Sequence, residues 1–395
     1  MGQFARMLPD VGWEVSVLTA KHDAIDHAAR SDRTDVIEAW SPMSKLAPRG
    51  APAPRHGLKA FARTGLKALA STLMFPDREV FWVPAAIAAG RRVLASQPHD
   101  VVLATHGPAS NLIVGHALAR ISGLPLVVDF RDLWSTLPMP IFPTAAHRRA
   151  AHALEGVVVR AAAKIIAVAP RMATEIALTH GRSESDAVSI TNGFDPADQQ
   201  RAIDTRTAEP RPFRLVYTGS VNVHYNLDPF WRAIRALADQ GKITPETLRI
   251  EFVGNLAASD VRKHGVEAFV ETRGYVPHHQ VFEALGNADA LLLIETRGYY
   301  AEYSYVAKLF DYLLTGKPVL ALVEKGNTYK VLRDAGVGYA ADPSDELEVM
   351  RVLEQVFKLK GQAPRSVDVD QEPYRSFNRR HLVARLGGVL DDVTR

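Results

Sequence analysis

Short apolar runs alternate along this chain with segments whose apolar residues recur every three or four positions, the signature of strands interleaved with helices. After a helix-like opening at 2–8, residues 13–18 half-alternate as a strand and 36–40 form a second candidate. Residues 42–54, rich in Pro and Ala, read as a loop. A helix is predicted at 81–96, a buried strand at 100–105, a helix at 111–121, and another buried strand at 126–130 after a Gly-Leu-Pro turn. Short β-branched runs at 164–168 and 187–190 flank a helix at 171–179. Apolar periodicity stops over 196–212 and then starts afresh. Strands follow at 214–218, 248–253, 268–271, 290–294 and 318–323, with helices at 227–238, 279–285 and 307–314. The stretch 374–393 is amphipathic through Phe377, Leu382, Leu386 and Leu390, and can cap its own domain or cross back to the first.

Strands alternating with helices predict α/β domains with parallel sheets covered on both faces. Two such series predict two Rossmann-like domains: 1–193, 194–373, and a terminal helical segment at 374–395. Ligands collect beyond the carboxyl ends of parallel strands, so two facing domains are expected to share a cleft.

Composition narrows the function classes. With 395 residues, two cores are expected, and 47% hydrophobic with 23% charged residues describes a globular chain. No run approaches the roughly 18 apolar residues of a membrane span, and no secretory leader is evident. The absence of cysteine removes disulfides and thiolate chemistry, which fits a cytoplasmic setting. A net charge of only +3 argues against nucleic acid as the partner. Positive charge gathers at 55–73, where Lys59, Arg63 and Lys67 flank the apolar face Leu58, Phe61, Ala62, Leu66, Leu69 and Leu73. That helix can lie on an anionic inner-membrane surface or simply pack with solvated lysines.

Candidate chemistry concentrates where buried strands end. Asp129 closes one such strand, with Arg131, Asp132 and Trp134 just beyond. An unpaired buried charge is costly, so these groups either pair structurally or face a ligand. His106 follows another buried strand and can orient or deprotonate a hydroxyl, or be an ordinary loop histidine. In the second series Gly219 and Ser220 join strand to helix, where backbone amides could meet a phosphate. Asn192-Gly193 is a turn near the inferred boundary, and Asn-Gly tolerates left-handed backbone. Gly254 and Gly274 end two more strands and could leave room for close ligand approach. Lys308 and Asp311, three apart, share a face at a helix start. They can neutralise a diphosphate and bind ribose hydroxyls, or form a surface pair. No compact metal-ligand motif stands out.

These stretches resemble the retaining glycosyltransferases of the two-Rossmann-domain GT-B fold, specifically the large family 4, in the subgroup making bacterial surface or exported polysaccharides. The run AKLFDYLLTGKPVLA from Ala307 is similar to that family's nucleotide-sugar segment, with Asp311 at the place of the ribose-binding glutamate. Asn192-Gly193-Phe194-Asp195 resembles the interdomain turn, and Gly274-Tyr275-Val276-Pro277 the loop whose backbone contacts the base. Asp129 to Trp134 resembles an acceptor-side loop, and His106 a position that contacts the transferred sugar or aligns the acceptor.

The resemblance has three departures. Tyr303, beside Ser304 and Tyr305, stands where the family's first acidic residue is usual. The Arg and Lys usual after the Gly219 turn are replaced by a stretch holding Ser220, Asn222, His224 and Asn226, with Arg297 a weaker candidate helper. Met1 stands almost at the first helix, so the first strand of the 1–193 domain is expected to be missing.

The resemblance implies transfer from a nucleoside-diphosphate sugar to a glycan or lipid-linked acceptor hydroxyl, with retention and no obligatory cofactor. His106, Asp129 and Lys308 are then the catalytic candidates. Asn192, Gly193, Gly219, Ser220, Tyr275, Val276, Ser304, Tyr305, Lys308 and Asp311 are the donor-binding candidates. A catalytically weak sugar-nucleotide-binding scaffold, or an epimerase of similar architecture, is the alternative.

Overall fold

The structure, a computed structural model, describes residues 2–21, 33–42, 74–137, 142–202, 205, 211–221, 225–296 and 298–395. The basic segment 55–73, Asn222, His224 and Arg297 lie outside the described residues. The chain divides into two compact units, one of Met1–Ile190 with Val383–Arg395, the other Thr191–Leu382.

In the first unit, β1 (Val15–Ala20) pairs in parallel with β2 (Thr34–Ala39). A separate parallel sheet runs in sequence order through β3 (Val102–Thr105), β4 (Leu126–Phe130), β5 (Lys164–Ala167) and β6 (Ala187–Ser189). The helices Val83–Ser96 and Ser110–Ser122 pack Ala86, Ala89, Val114 and Leu118 into an apolar cluster with Trp82 and Ala39. The last helix, Arg379–Thr394, is divided between the units after Leu382. Within the first unit Trp13 Nε1 donates to Asp391 Oδ1 (3.1 Å) and Arg385 donates to the Ser189 carbonyl (2.9 Å).

The second unit has a six-stranded parallel sheet built from β7 (Phe213–Thr218), β8 (Leu248–Val253), β9 (Val270–Thr272), β10 (Ala290–Ile294), β11 (Val319–Leu322) and β12 (Gly338–Ala341). Their order is β12-β11-β10-β7-β8-β9. Both faces are buried, which explains why the strands read as continuous apolar runs. Phe213, Leu215, Leu292 and Leu320 join the cluster under the helices Asp228–Asp239 and Glu346–Phe357. Val216, Leu291, Leu293 and Val319 join the opposite cluster under Lys308–Thr315 and Asn327–Asp334. The chain leaves β7 toward β8 and β9, then returns to place β10 on the other side of β7. That reversal makes the β7/β10 junction a topological switch point, where open α/β sheets hold ligands.

Several expected elements shift. The helix foreseen at 81–96 is a 3-10 turn, Arg78–Trp82, followed by a helix from Val83. The strand foreseen at 268–271 is preceded by a 3-10 turn, Glu267–Phe269, and starts at Val270. The foreseen terminal helix breaks at Asn378, after a 3-10 turn at Arg375–Phe377.

Candidate functional site

At the switch point of the second unit, Gly219 leaves β7 at φ +104°, a left-handed conformation that suits glycine. A Cβ at Gly254, after β8, would lie 2.2 Å from the Gly219 carbonyl oxygen. Gly254 therefore owes its identity to backbone packing against this turn rather than to room for a ligand. The turn's amides are also committed: Gly219 N–H donates to Val253 O and Val221 N–H to Asn255 O, both at 2.8 Å. Neither is available to the phosphate expected from the sequence.

What faces the turn is Lys308. Its Nζ donates to Tyr217 Oη at 2.8 Å and lies 4.1 Å from the centre of the Tyr217 ring. A Cβ at Gly219 would come within 3.6 Å of that nitrogen, so a side chain there would crowd the ammonium. Burial lowers the Lys308 pKa to about 8, because the charged form loses hydration that one phenol cannot replace. Burial likewise pushes the Tyr217 phenol far above its ordinary range and keeps it neutral.

Glu295, immediately after β10, is a residue the sequence reading missed. Its Oε1 accepts from Thr328 Oγ1 at 2.7 Å, while Oε2 is buried without a hydrogen-bond partner. Burial raises its pKa to about 7. The Tyr225 phenol lies within electrostatic reach of both Tyr217 and Glu295. The signal in the sequence is an acidic residue capping the all-apolar strand Ala290–Ile294.

The other donor-side candidates gather around Arg379, also missed. Its Nη2 donates to the Gly193 carbonyl, its Nη1 lies 3.7 Å from Asp195, and Asp311 contributes to its electrostatic environment. Gly193 has no positive φ, which corrects the left-handed reading of Asn192-Gly193. Glycine is required instead because a Cβ would lie 2.3 Å from the Phe377 carbonyl oxygen. Asn192 is exposed beside it. Tyr305 packs between Phe310 and Phe377, at centroid distances of 6.1 and 6.0 Å. Ser304 Oγ donates to the Tyr300 carbonyl (3.1 Å), and Ser220 is exposed. Tyr275 is 92% exposed in the loop after β9, whereas Val276 packs onto the core. Tyr303, at the place of the absent acid, is buried and stacked on Tyr299 at 4.2 Å.

Lys317, in the same motif, is fully buried and donates to the carbonyls of Leu285 and Ala288 at 2.8 Å and to that of Gly286. It caps the carboxyl end of the helix His278–Asn287, where cations are favoured.

In the first unit, β3 and β4 are neighbours with Thr105 opposite Asp129. Asp129 is 0% exposed and its carboxylate is saturated. Arg131 donates to its two oxygens at 2.8 and 2.6 Å, and Thr105 Oγ1 donates at 2.8 Å. This bidentate pair fixes the loop after β4 and leaves no open face for a substrate. The His106 ring stacks at 5.6 Å on Phe130 and 5.8 Å on Trp134, and its Nδ1 is buried without a partner. Burial lowers its pKa, so the imidazole is neutral at neutral pH. Trp134 is itself buried, a packed aromatic rather than an open platform. Glu155, on the unforeseen helix Ala145–Ala161, accepts from Ser135 N–H (2.7 Å) and bonds His180 Nε2 (2.8 Å), anchoring the same loop. Among the described residues no group of histidines and carboxylates could hold a metal ion.

Residues 1–193 match the family model described as Glycosyl transferase 4-like domain. No curated protein matches the chain in sequence. Among solved structures, the chain is similar to a glycosyltransferase from Rickettsia africae ESF-5, at 9% identity and TM-score 0.65, covering 99% of this chain and 93% of that one. It is also similar to the apo form of the lipopolysaccharide outer core galactosyltransferase WaaB, at 12% identity and TM-score 0.59, covering 99% and 94%. Anabaena Alr3699/HepE in complex with UDP matches at 13% identity and TM-score 0.54, with 97% of each chain covered. At these identities the likeness concerns the fold.

Proposed function

Because the chain belongs, through residues 1–193, to the glycosyl transferase 4-like family and is a glycosyltransferase of the GT-B fold, we propose that its second unit holds a nucleoside-diphosphate sugar at the β7/β10 switch point. The observation that carries this reading is Lys308: a buried ammonium above the Gly219 turn, held by a single phenol. A diphosphate supplies the negative charge that position lacks, and its arrival restores the proton affinity of the amine. Asp311, one turn further along the helix, binds the ribose hydroxyls. Asn192-Gly193, Ser304-Tyr305 and the exposed Tyr275 complete the nucleotide's surroundings. The residues 194–373 are thus the donor domain and 1–193 the acceptor side, where the neutral His106 meets the acceptor.

In the proposed reaction the bond from the anomeric carbon to the diphosphate oxygen breaks and a bond to the acceptor oxygen forms on the same face. The acceptor's proton passes to the departing diphosphate, whose developing charge Lys308 stabilises. Asp129 acts by positioning the loop after β4 rather than by touching substrate. The acceptor is proposed to be a glycan or lipid-linked hydroxyl in surface polysaccharide synthesis. Among the described residues no helix is long and apolar enough to cross a membrane. A second reading, a sugar-nucleotide-binding scaffold without turnover, is favoured by Tyr303, which stacks on Tyr299 at the place of the usual acid.

A nucleotide-sugar panel against lipid-linked and soluble acceptors tests both. Lys308→Ala and Asp311→Ala are each expected to weaken donor use by roughly 10- to 100-fold, the loss of one charge-assisted contact. Near-normal transfer in both variants would remove the pocket assignment. Donor binding without transfer in the parent chain would select the scaffold.

A further inference from the structure

The first unit contains a cavity of about 300 Å³ between its two sheets. One wall is formed by residues 15–18 of β1, the other by every residue of β3. Among the described residues β1 pairs only with β2, and β3 only with β4. Each strand therefore turns an unpaired backbone edge toward this space. Ser16, at the amino end of β1, meets Gln97 and His99, which precede β3, through its Oγ at 3.1 Å to each. The two edges thus start at the same end and run in the same direction. Beyond that hydroxyl, the wall is mainly apolar on both faces of the sheet plane. Val93, Val114 and Leu118 lie on one side, and Ala5, Leu8 and Leu390 also line the space.

We propose that this cavity is a receptor for one extended polypeptide strand, rich in β-branched apolar residues, which inserts between β1 and β3 parallel to both and is joined to the chain at Gly2. A strand satisfies both rows of unpaired N–H and C=O groups at once, which a lipid or small apolar molecule cannot do. Covered by apolar side chains on both faces, it would read as a continuous apolar run like β4 and β10. The amino end makes the connection: Gly2 is part of the cavity wall, beside Thr105 and Asn111. Residues 2–14, containing the helix Gly2–Met7 and the turn Leu8–Val11, span the dozen or so positions a parallel crossover into β1 requires. With the slot filled, β2-β1 and β3-β4-β5-β6 become one continuous parallel sheet.

The test appends a short Val/Ile-rich run and a two-glycine turn to the amino end of the full chain. Its comparison chain carries an appendage of equal length with prolines at alternate positions, which cannot pair. Hydrogen exchange at residues 15–18 and 102–105 is expected to slow by about 100-fold or more in the first chain and to stay at the parent's rate in the second. The thermal midpoint of the first chain should rise as well. Unchanged exchange in both chains, or equal protection in both, overturns the proposal. So does protection that grows with protein concentration, because the slot would then be filled by a second copy. None of these outcomes depends on donor binding.

Discussion

Replacing Lys308 by Met is expected to stabilise the second unit at neutral pH while abolishing diphosphate binding. Burial lowers the folded-state pKa from 10.5 to about 8. At 1.36 kcal/mol per pK unit, that fall corresponds to about 3 kcal/mol by which folding disfavours the charged amine. The substitution also removes the bond to Tyr217 Oη, worth about 1 kcal/mol, which leaves a net gain of about 2 kcal/mol at pH 7. The sign follows from proton counts. Below pH 8 both folded and unfolded chains hold the proton, and the cost is present in full. Between 8 and 10.5 the unfolded chain holds a proton that the folded one has released, so the parent's stability rises with pH. Above 10.5 both are neutral, and only the lost hydrogen bond remains, making the variant the less stable chain. Urea unfolding followed by Trp231, the only tryptophan of residues 191–382 and fully buried, reads the difference at each pH. Calorimetry with UDP supplies the functional half: the parent's affinity should weaken about tenfold per unit above pH 8, and the variant should not bind. A variant that is less stable at pH 7, or a difference that does not change with pH, would refute the reasoning.

Two further substitutions follow from the same accounting of buried charge. Arg131→Met strands the fully buried Asp129 carboxylate with Thr105 alone and should cost about 3–5 kcal/mol in urea unfolding, most of it recovered when Asp129→Asn is added. Glu295→Gln should stabilise the protein by about 3 kcal/mol at pH 8, because a folded pKa of about 7 against an ordinary 4.5 makes the parent lose stability as pH rises from 4.5 through 7. Unfolding of the Gln variant should be flatter across that interval, and an unchanged slope would show that Glu295 does not titrate there.

Legibility in the sequence tracked how local each feature is. The strands β4, β8, β10 and β11 are apolar runs buried on both faces, and their extents stood out. The strand β12, Gly-Tyr-Ala-Ala, has little side chain to pack and gives no such signal. The helix Ala145–Ala161 was hidden because His and Arg interrupt its apolar stripe, although it carries Glu155. The helices Asn327–Asp334 and Glu346–Phe357 were also unforeseen. At the site, the charge closing β4 and the Lys308–Asp311 spacing were visible in the chain. Their partners were not, because Thr105 lies 24 positions from Asp129 and Tyr217 lies 91 from Lys308. Arg379 was invisible for the same reason, sitting 186 positions from Gly193. The glycines mislead in another way. Gly193 and Gly254 look like turn residues, and each is fixed by a neighbouring carbonyl that only the tertiary structure brings near.

The buried charges of this protein fall into two kinds, and the difference separates scaffold from site. Lys317 and Asp129 are fully buried and richly paired, the one with three carbonyls, the other with three donated hydrogen bonds. Replacing either partner set would unbalance the fold, and nothing is left over for a ligand. Lys308 and Glu295 are buried too, yet Lys308 is held by one phenol and Glu295 Oε2 by no hydrogen bond among the described residues. A charge kept in that condition lowers stability, and a chain selected only to fold would have an apolar residue there. Both stand at the carboxyl ends of β7 and β10, where the strand order reverses and a charged, hydroxyl-rich ligand can supply the contacts the protein withholds. The stability forgone at Lys308 is thus expected to reappear as diphosphate affinity, and the opposing signs expected for Lys308→Met in unfolding and in UDP binding are two readings of that one quantity.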